Sequence, residues 1–389
     1  MTYKSGPHFL QIPGPSHVPG RILRAIGQPT IDHRGPEFQT LANEVLAKVK
    51  PIFQTECPVV ILPSSGTGAW EAALVNTMNV GDKVLMFETG QFSSLWAELA
   101  TRLGLQPEVI PGDWRHGVDA AAIEARLLED KGHEIKAVCV VHNETSTGVT
   151  SQIQKVRKAI DAANHPALFM VDSISGLGSA EYKHDEWGVD VTVSGSQKGL
   201  MLPPGLGFNA VGPKALKASE NARINRSYWD WKSQIGMNKD GWFPYTPATN
   251  LLYGLNEACD MMMEEGLDNV FSRHERFAEA TRRAVRTWGL EVLCQSADEY
   301  SPVLTAVVMP DGHNADTYRA TVLDKFDMSL GSGLGKVAGK VFRIGHLGYF
   351  NDLMLMGTLS GVEMGFAVAG VPHKKGGAQA AMEYLTGNA

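Results

Sequence analysis

Lys198 stands in Ser194-Gly195-Ser196-Gln197-Lys198-Gly199, between a run of strand character at 189–193 and the apolar Leu200-Met201-Leu202-Pro203-Pro204. Open α/β sheets present ligand-contacting loops at the carboxyl ends of their strands. An amine placed there among apolar residues is partly desolvated, which lowers its pKa and suits it to Schiff-base chemistry with an aldehyde. A lone lysine between glycines is more often a solvated side chain, so this feature alone decides nothing.

Asp172 closes another apolar run, 167–171, in Phe169-Met170-Val171-Asp172-Ser173. An acid at a strand end caps a helix about as often as it serves catalysis. Asp172 and Lys198 follow two consecutive strand-like runs, however, which brings both side chains out at one edge of a parallel sheet. A third element, Ser64-Ser65-Gly66-Thr67-Gly68, lies between a strand at 59–62 and a helix at 69–78. N–H groups at a helix start, with small residues and hydroxyls beside them, make an anion site. The plainer alternative is a Gly-rich turn capped by Thr67.

Nest, acid and lysine, in that chain order, match what pyridoxal 5′-phosphate needs. The nest takes the phosphate and the lysine takes the aldehyde. The acid keeps the pyridine nitrogen protonated so that the ring accepts carbanion electrons.

These groups need a sheet to position them. Strand-like runs at 59–62, 83–87, 107–110, 137–142, 167–171, 189–193 and 207–211 alternate with helical segments at 69–78, 93–103, 120–128 and 153–163. That alternation predicts a doubly wound α/β unit with a mainly parallel seven-stranded sheet flanked by helices. After Tyr253 the texture changes: a long helical pattern at 255–288, strands at 304–309 and 341–344, and a helix at 351–369 predict a smaller α+β C-terminal domain. We divide the chain into a large domain, 21–254, and a small one, 255–389, with residues 1–20 packing against the small domain or a partner subunit. The Pro13-Gly14-Pro15 segment reads as a rigid extended turn.

Other chemistries fit poorly. Gly331-Ser332-Gly333-Leu334-Gly335-Lys336 fails both the Walker and the dinucleotide templates, which leaves a flexible loop. The 389 residues are 43% hydrophobic and 20% charged, as ordered globular chains are. Lys plus Arg is 35 against 42 Asp plus Glu, a formal net charge of −7 with no basic block, which argues against nucleic acid. Cys57, Cys139, Cys259 and Cys294 are widely spaced, and the twelve histidines form no dense ligand cluster, so no metal is expected. No segment reads as a signal peptide, and 353–371 suits a packed helix better than a membrane span, so the expectation is a cytoplasmic protein.

Several longer stretches carry a resemblance: Ile12-Pro13-Gly14-Pro15-Ser16, Ser65-Gly66-Thr67-Gly68, His142-Asn143-Glu144-Thr145-Ser146-Thr147-Gly148, Gly195-Ser196-Gln197-Lys198-Gly199 and Lys340-Val341-Phe342-Arg343-Ile344-Gly345. The chain resembles the class V, fold-type I aminotransferases over nearly its whole length, most closely the serine–glyoxylate and alanine–glyoxylate branch. The resemblance implies that Lys198 holds the cofactor aldehyde and that Asp172 pairs with the pyridine nitrogen. It implies phosphate contacts from Gly66, Thr67, Gly68 and Gln197, and a hydrogen bond from Thr145 to the ring hydroxyl. Phe92 would stack on the ring, where some relatives carry Trp, and Ile174 would cover the opposite face.

Across a homodimer interface, the segment Phe243-Pro244-Tyr245-Thr246-Pro247 would bring Thr246 to the partner's phosphate. Phe243 replaces a Tyr of some relatives and donates no hydrogen bond. Arg343 matches the arginine that grips the substrate carboxylate; a salt bridge between domains is the ordinary alternative.

The activity so implied is ping-pong transamination from a small amino acid, serine first, with alanine or aspartate as alternatives, to glyoxylate. An aspartate donor needs a second cation, for which Arg34, Arg223 and Arg226 are candidates. A desulfurase-like or kynureninase-like enzyme and a non-catalytic cofactor-binding regulator are the rivals. The first of these needs a mobile cysteine in the later half, and neither Cys259 nor Cys294 sits in a Gly/Ser-rich loop.

Overall fold

The computed structural model describes residues 6–387. A short strand, β1 (Phe9–Gln11), comes first, followed by helices Gly20–Ile26 and Pro36–Phe53. The large sheet is built from β2 (Val59–Ser64), β3 (Lys83–Phe87), β4 (Gln106–Ile110) and β5 (Ile135–Val141). A hairpin, β6 (Asn143–Glu144) and β7 (Val149–Thr150), precedes the remaining members, β8 (Leu168–Asp172), β9 (Val191–Gly195) and β10 (Gly205–Val211). The order across this seven-stranded sheet is β2-β10-β9-β8-β5-β3-β4. β10 runs antiparallel to both neighbours, and the other pairs are parallel. β8 and β9 are buried at every residue, as strands covered by helices on both faces must be.

Local chemistry sets the helices. Ile153–Ala162 turns Ile153, Val156, Ala159 and Ile160 inward, one stripe at helical spacing. Asp119 caps Ala120–Glu129 by accepting from the N–H groups of Ala121 and Ala122. The helix Gly66–Thr77 is buried over most of its length and is rich in alanine, which lets it lie close against the sheet.

A second sheet has five strands: β1, β11 (Glu291–Val292), β12 (Leu304–Val308), β13 (Met328–Ser332) and β14 (Val341–Gly345), in the order β1-β13-β14-β12-β11. Only β1 and β13 pair in parallel. Helix Asp352–Ala369 contributes Leu355, Leu359, Val362 and Phe366 to the same hydrophobic cluster as Leu330, Phe342 and Ile344.

The seven strands of the large sheet fall where the sequence pattern put them, with ends moved by one or two residues. Three expectations change. The helical pattern 255–288 is two helices, Thr249–Glu265 and Leu267–Trp288, broken at Gly266, whose φ of +82° belongs to the left-handed side. The stretch 331–336 is not one flexible loop, because Gly331 and Ser332 close β13. Thr67 is not a cap: Ser65 takes that position without a side-chain bond, and Gly66 opens the helix.

Candidate active site

Lys198 follows β9 and is 9% exposed. Its ammonium donates to the Pro13 carbonyl at 2.5 Å. The opening segment is fastened there from both sides: Ser16 N–H donates to the Gln197 carbonyl at 3.0 Å, and Ser16 Oγ donates to the Lys198 carbonyl at 2.8 Å. A Cβ on Gly14 would lie 2.4 Å from Lys198 Nζ, so only glycine lets this turn cross the lysine. Burial lowers the Lys198 pKa to about 8, and the Arg343 guanidinium adds to that; Asp172 acts the other way.

Asp172 ends β8, the parallel neighbour of β9, so acid and amine leave the same sheet edge. Its Oδ2 accepts from Trp70 Nε1 at 2.9 Å and its Oδ1 from Ile174 N–H at 2.7 Å. Burial pushes the carboxyl up to about 7; the Ile174 N–H opposes that, Glu144 adds to it, and Trp70 and Lys198 oppose it.

The strand-to-helix turn after β2 opens at the same edge. A Cβ on Gly66 would lie 2.3 Å from Ile174 Cδ1. On Gly68 it would meet Ser64 Oγ at 2.0 Å and Trp229 Cη2 at 2.9 Å. A Cβ on Gly195 would stand 3.1 Å from Gln197 Oε1 and 3.5 Å from the Gly66 nitrogen, which places the Gln197 amide at the nest. That Oε1 is buried without a hydrogen-bond partner. An amide exchanges oxygen for N–H₂ by a half-turn, so Gln197 can offer donors to an anion beside the exposed Thr67.

Glu144 closes the far side. Wholly buried, it accepts from the N–H groups of Phe92 and Ser93 at 3.3 and 3.1 Å and from Ser146 Oγ at 2.6 Å, anchoring the start of helix Gln91–Arg102 and with it Phe92. Thr145 is buried and donates to Ser175 Oγ at 2.8 Å. From the second sheet, Arg343 on β14 donates Nη1 to the Thr145 carbonyl and Nε to the Ser332 carbonyl, both at 2.7 Å. No carboxylate among the described residues forms a salt bridge with it, so the simple alternative of an ion pair between the two halves fails. Burial lowers its pKa to about 10, which leaves it charged near neutrality.

Lys198, Asp172, Gly66, Ile174, Gln197, Thr145 and Arg343 therefore belong to one connected neighbourhood, with Phe92 attached through Glu144. Thr246 does not join it within the chain; it is exposed, in the connection between helices Trp231–Asn238 and Thr249–Glu265. Phe243 is core, packed edge-on against Phe38 at 6.0 Å, and Tyr245 stacks on Tyr228 at 4.1 Å. Arg226 pairs with Asp230 and bonds the carbonyls of Val75, Ala222 and Ser219; Arg223 bonds those of Glu220 and Ala222. Arg226 thus ties its loop to helix Gly66–Thr77, Arg223 bonds within its own loop, and Arg34 is exposed.

The sequence reading gave Trp70, Trp229, Glu144 and Pro13 no role in the site. Signals existed: Glu144 and Pro13 lie within stretches that carry the resemblance, and Trp70 stands four residues after Gly66 and thus on the same helix face.

The arrangement fits a phosphate-bearing aldehyde cofactor: a desolvated amine, a cradle that side chains would fill, an amide with an unused buried atom and an acid at the other end. Together with the seven-stranded sheet it defines a fold-type I pyridoxal-phosphate enzyme. The chain belongs to the aminotransferase class-V family, whose sequence profile matches residues 13–344. It is 48% identical to the serine–glyoxylate aminotransferase of Methylorubrum extorquens, over 100% of this chain and 98% of that one. It is 45% identical to the L-aspartate–glyoxylate aminotransferase of Paracoccus denitrificans, over 96% and 95%. The ureidoglycine–glyoxylate aminotransferase structure from Bacillus subtilis superposes with a TM-score of 0.90 at 28% identity, over 99% of this chain and 100% of that one. The chain is thus a pyridoxal-phosphate-dependent aminotransferase.

Proposed function

We propose that this aminotransferase moves the amino group of serine to glyoxylate in two half-reactions, the first product leaving before glyoxylate enters. The observation that carries this reading is Arg343, a buried guanidinium without a salt-bridged carboxylate, close enough to the Lys198 amine to lower its pKa. A planar guanidinium grips a carboxylate through two parallel bonds and so fixes the Cα of either substrate near the amine.

Bound pyridoxal phosphate supplies an aldehyde for covalent attachment and a protonated ring that accepts electrons from Cα. Lys198 Nζ would hold that aldehyde, and its neutral amine, once free, would carry a proton from the donor's Cα to the cofactor and, in the second half-reaction, from the cofactor to the Cα derived from glyoxylate. A pKa near 8 keeps a useful share of the amine neutral at physiological pH. Asp172, held by Trp70 and Ile174, would pair with the ring nitrogen, and Gly66, Thr67, Gly68 and Gln197 would hold the phosphate. Thr145, Phe92 and Ile174 would bound the ring. The working form would be a homodimer in which the exposed Thr246 serves the partner's phosphate site.

Serine is favoured over aspartate because Arg226, a candidate cation for a second carboxylate, is already paired with Asp230 at 3.2 Å. Buried thiols speak against a desulfurase: burial pushes Cys259 up to about 12 and Cys294 to about 11. Turnover of serine, alanine and aspartate with glyoxylate as acceptor tests the donor. Serine is expected to give the highest kcat/KM, and a panel in which aspartate leads overturns the assignment.

A further inference from the structure

The edge of the large sheet opposite Lys198 carries a second cluster. Cys57 stands two residues before β2, and His184 and Asp185 stand ahead of β9, which runs parallel to β2 because β10 is antiparallel to both. One ligand atom from each of the three residues lies within 4.8 Å of the others.

The imidazole points to an occupant. The His184 side chain is 1% exposed, yet its Nε2 has no hydrogen-bond partner. Its other nitrogen, Nδ1, shares a 2.6 Å hydrogen bond with Thr192 Oγ1, itself 2.6 Å from the Tyr182 hydroxyl. Metal-bound histidines are held in this way, the remote nitrogen bonded to a second group and the near lone pair left outward. Asp185 is equally well fixed: its Oδ1 accepts from Thr55 Oγ1 at 2.6 Å and its Oδ2 from Glu56 N–H at 2.9 Å. His184 N–H donates to the Phe53 carbonyl at 3.1 Å, so the two segments are tied together without any ion.

We propose that Cys57, His184 and Asp185 bind one divalent cation of borderline softness, best matched by Zn²⁺, with water in the fourth position. One thiolate, one imidazole and one carboxylate form a donor set suited to zinc and unsuited to magnesium or calcium, which seek oxygen alone. Tetrahedral zinc wants these donor atoms roughly 3.5 Å apart. The partly exposed Cys57, on the short turn before β2, supplies the closing movement. As the sulfur–metal bond forms, the Cys57 thiol proton passes to water. His184 coordinates as the neutral ring with Nδ1–H donating to Thr192. The bound ion pins the turn before β2 to the segment before β9 and leaves the catalytic edge untouched. No metal was expected from the sequence because the three residues share no motif spacing.

The test uses the pyridoxal-phosphate-loaded enzyme, titrated with Zn²⁺ against a chromophoric chelator and, separately, with Co²⁺. One Zn²⁺ per chain is expected, with Co²⁺ giving tetrahedral ligand-field bands in the red, clear of the cofactor's absorbance. Cys57→Ala and Asp185→Asn should each weaken Zn²⁺ binding by at least about 10-fold at unchanged kcat. Zn²⁺ should raise the melting temperature of the wild type and not that of Cys57→Ala. Replacing the buried His184 puts folding itself at risk, so the two outer positions carry the test. No stoichiometric Zn²⁺, equal binding by wild type and Cys57→Ala, or a loss confined to one of the two variants overturns the three-ligand site.

Discussion

Trp70 Nε1 donates a 2.9 Å hydrogen bond to Asp172 Oδ2. Gly66, at the start of the same helix, lies one turn earlier. One helix therefore holds both ends of the site, its N-terminus at the nest and its second turn on the acid. The Trp70 ring is itself braced by Trp96, stacked at 5.9 Å.

Trp70→Phe removes that donor and keeps most of the ring. The bond holds the Asp172 pKa down, against burial, so its loss raises that pKa. If the ionised acid is required, the acidic limb of the pH–kcat profile shifts to higher pH. A hydrogen bond to a charged group contributes ~1.5–3 kcal/mol, so kcat at pH 7 should fall about 10-fold or more. An unmoved limb in a folded variant would show that Trp70 only packs.

Gly66→Ala places a methyl group 2.3 Å from Ile174 Cδ1. Overpacking of this kind costs about 1–3 kcal/mol, and here it also closes the nest. Cofactor affinity should drop, as read by equilibrium dialysis. Adding Ile174→Val removes the clashing Cδ1 and should restore part of the affinity. If the double variant binds no better than Gly66→Ala, the contact is not the cause.

Much of this was legible in the sequence, for identifiable reasons. β3 is visible as Lys83–Phe87 because a strand buried on both faces reads as an unbroken apolar run. Asp172 is visible because it closes such a run and Lys198 because it follows one, and parallel neighbours deliver their ends to one edge. β13 was hidden by its glycine. Gly331 is required there because a Cβ would lie 2.7 Å from Pro13 Cδ and 3.0 Å from Arg343 Cβ, an approach set by tertiary packing. Glu144 and Pro13 were hidden for the same reason, since their roles rest on contacts with segments distant in sequence. Both lie in stretches that carry the resemblance, but neither periodicity nor the motif itself says which distant segment each one touches.

Arg343→Lys keeps the charge but gives up the planar fork and the bonds to Thr145 and Ser332. Losing one charge-assisted hydrogen bond of ~1.5–3 kcal/mol predicts a fall of about 10- to 100-fold in kcat/KM for both serine and glyoxylate. Steady-state kinetics with each substrate varied in turn reads this. A loss confined to one substrate would mean that the guanidinium does not grip both.

In the cofactor-free protein Lys198 is a buried amine whose pKa falls from 10.5 unfolded to about 8 folded. Between those values the unfolded chain binds the extra proton, so the wild type gains stability as pH rises through this window. Lys198→Met lacks the term. Cofactor-free Lys198→Met should be the more stable of the two at pH 7, with the gap narrowing from about pH 8 towards 10.5 in denaturant melts. A gap that widens over that range contradicts the buried, desolvated amine.

Borohydride reduction of the pyridoxal-phosphate-loaded enzyme, followed by peptide mass mapping, tests the central claim most directly. The account predicts one phosphopyridoxyl group per chain, carried on Lys198, and none in Lys198→Ala, which also loses transamination. A stable label on any other lysine, or full turnover by Lys198→Ala, would contradict it.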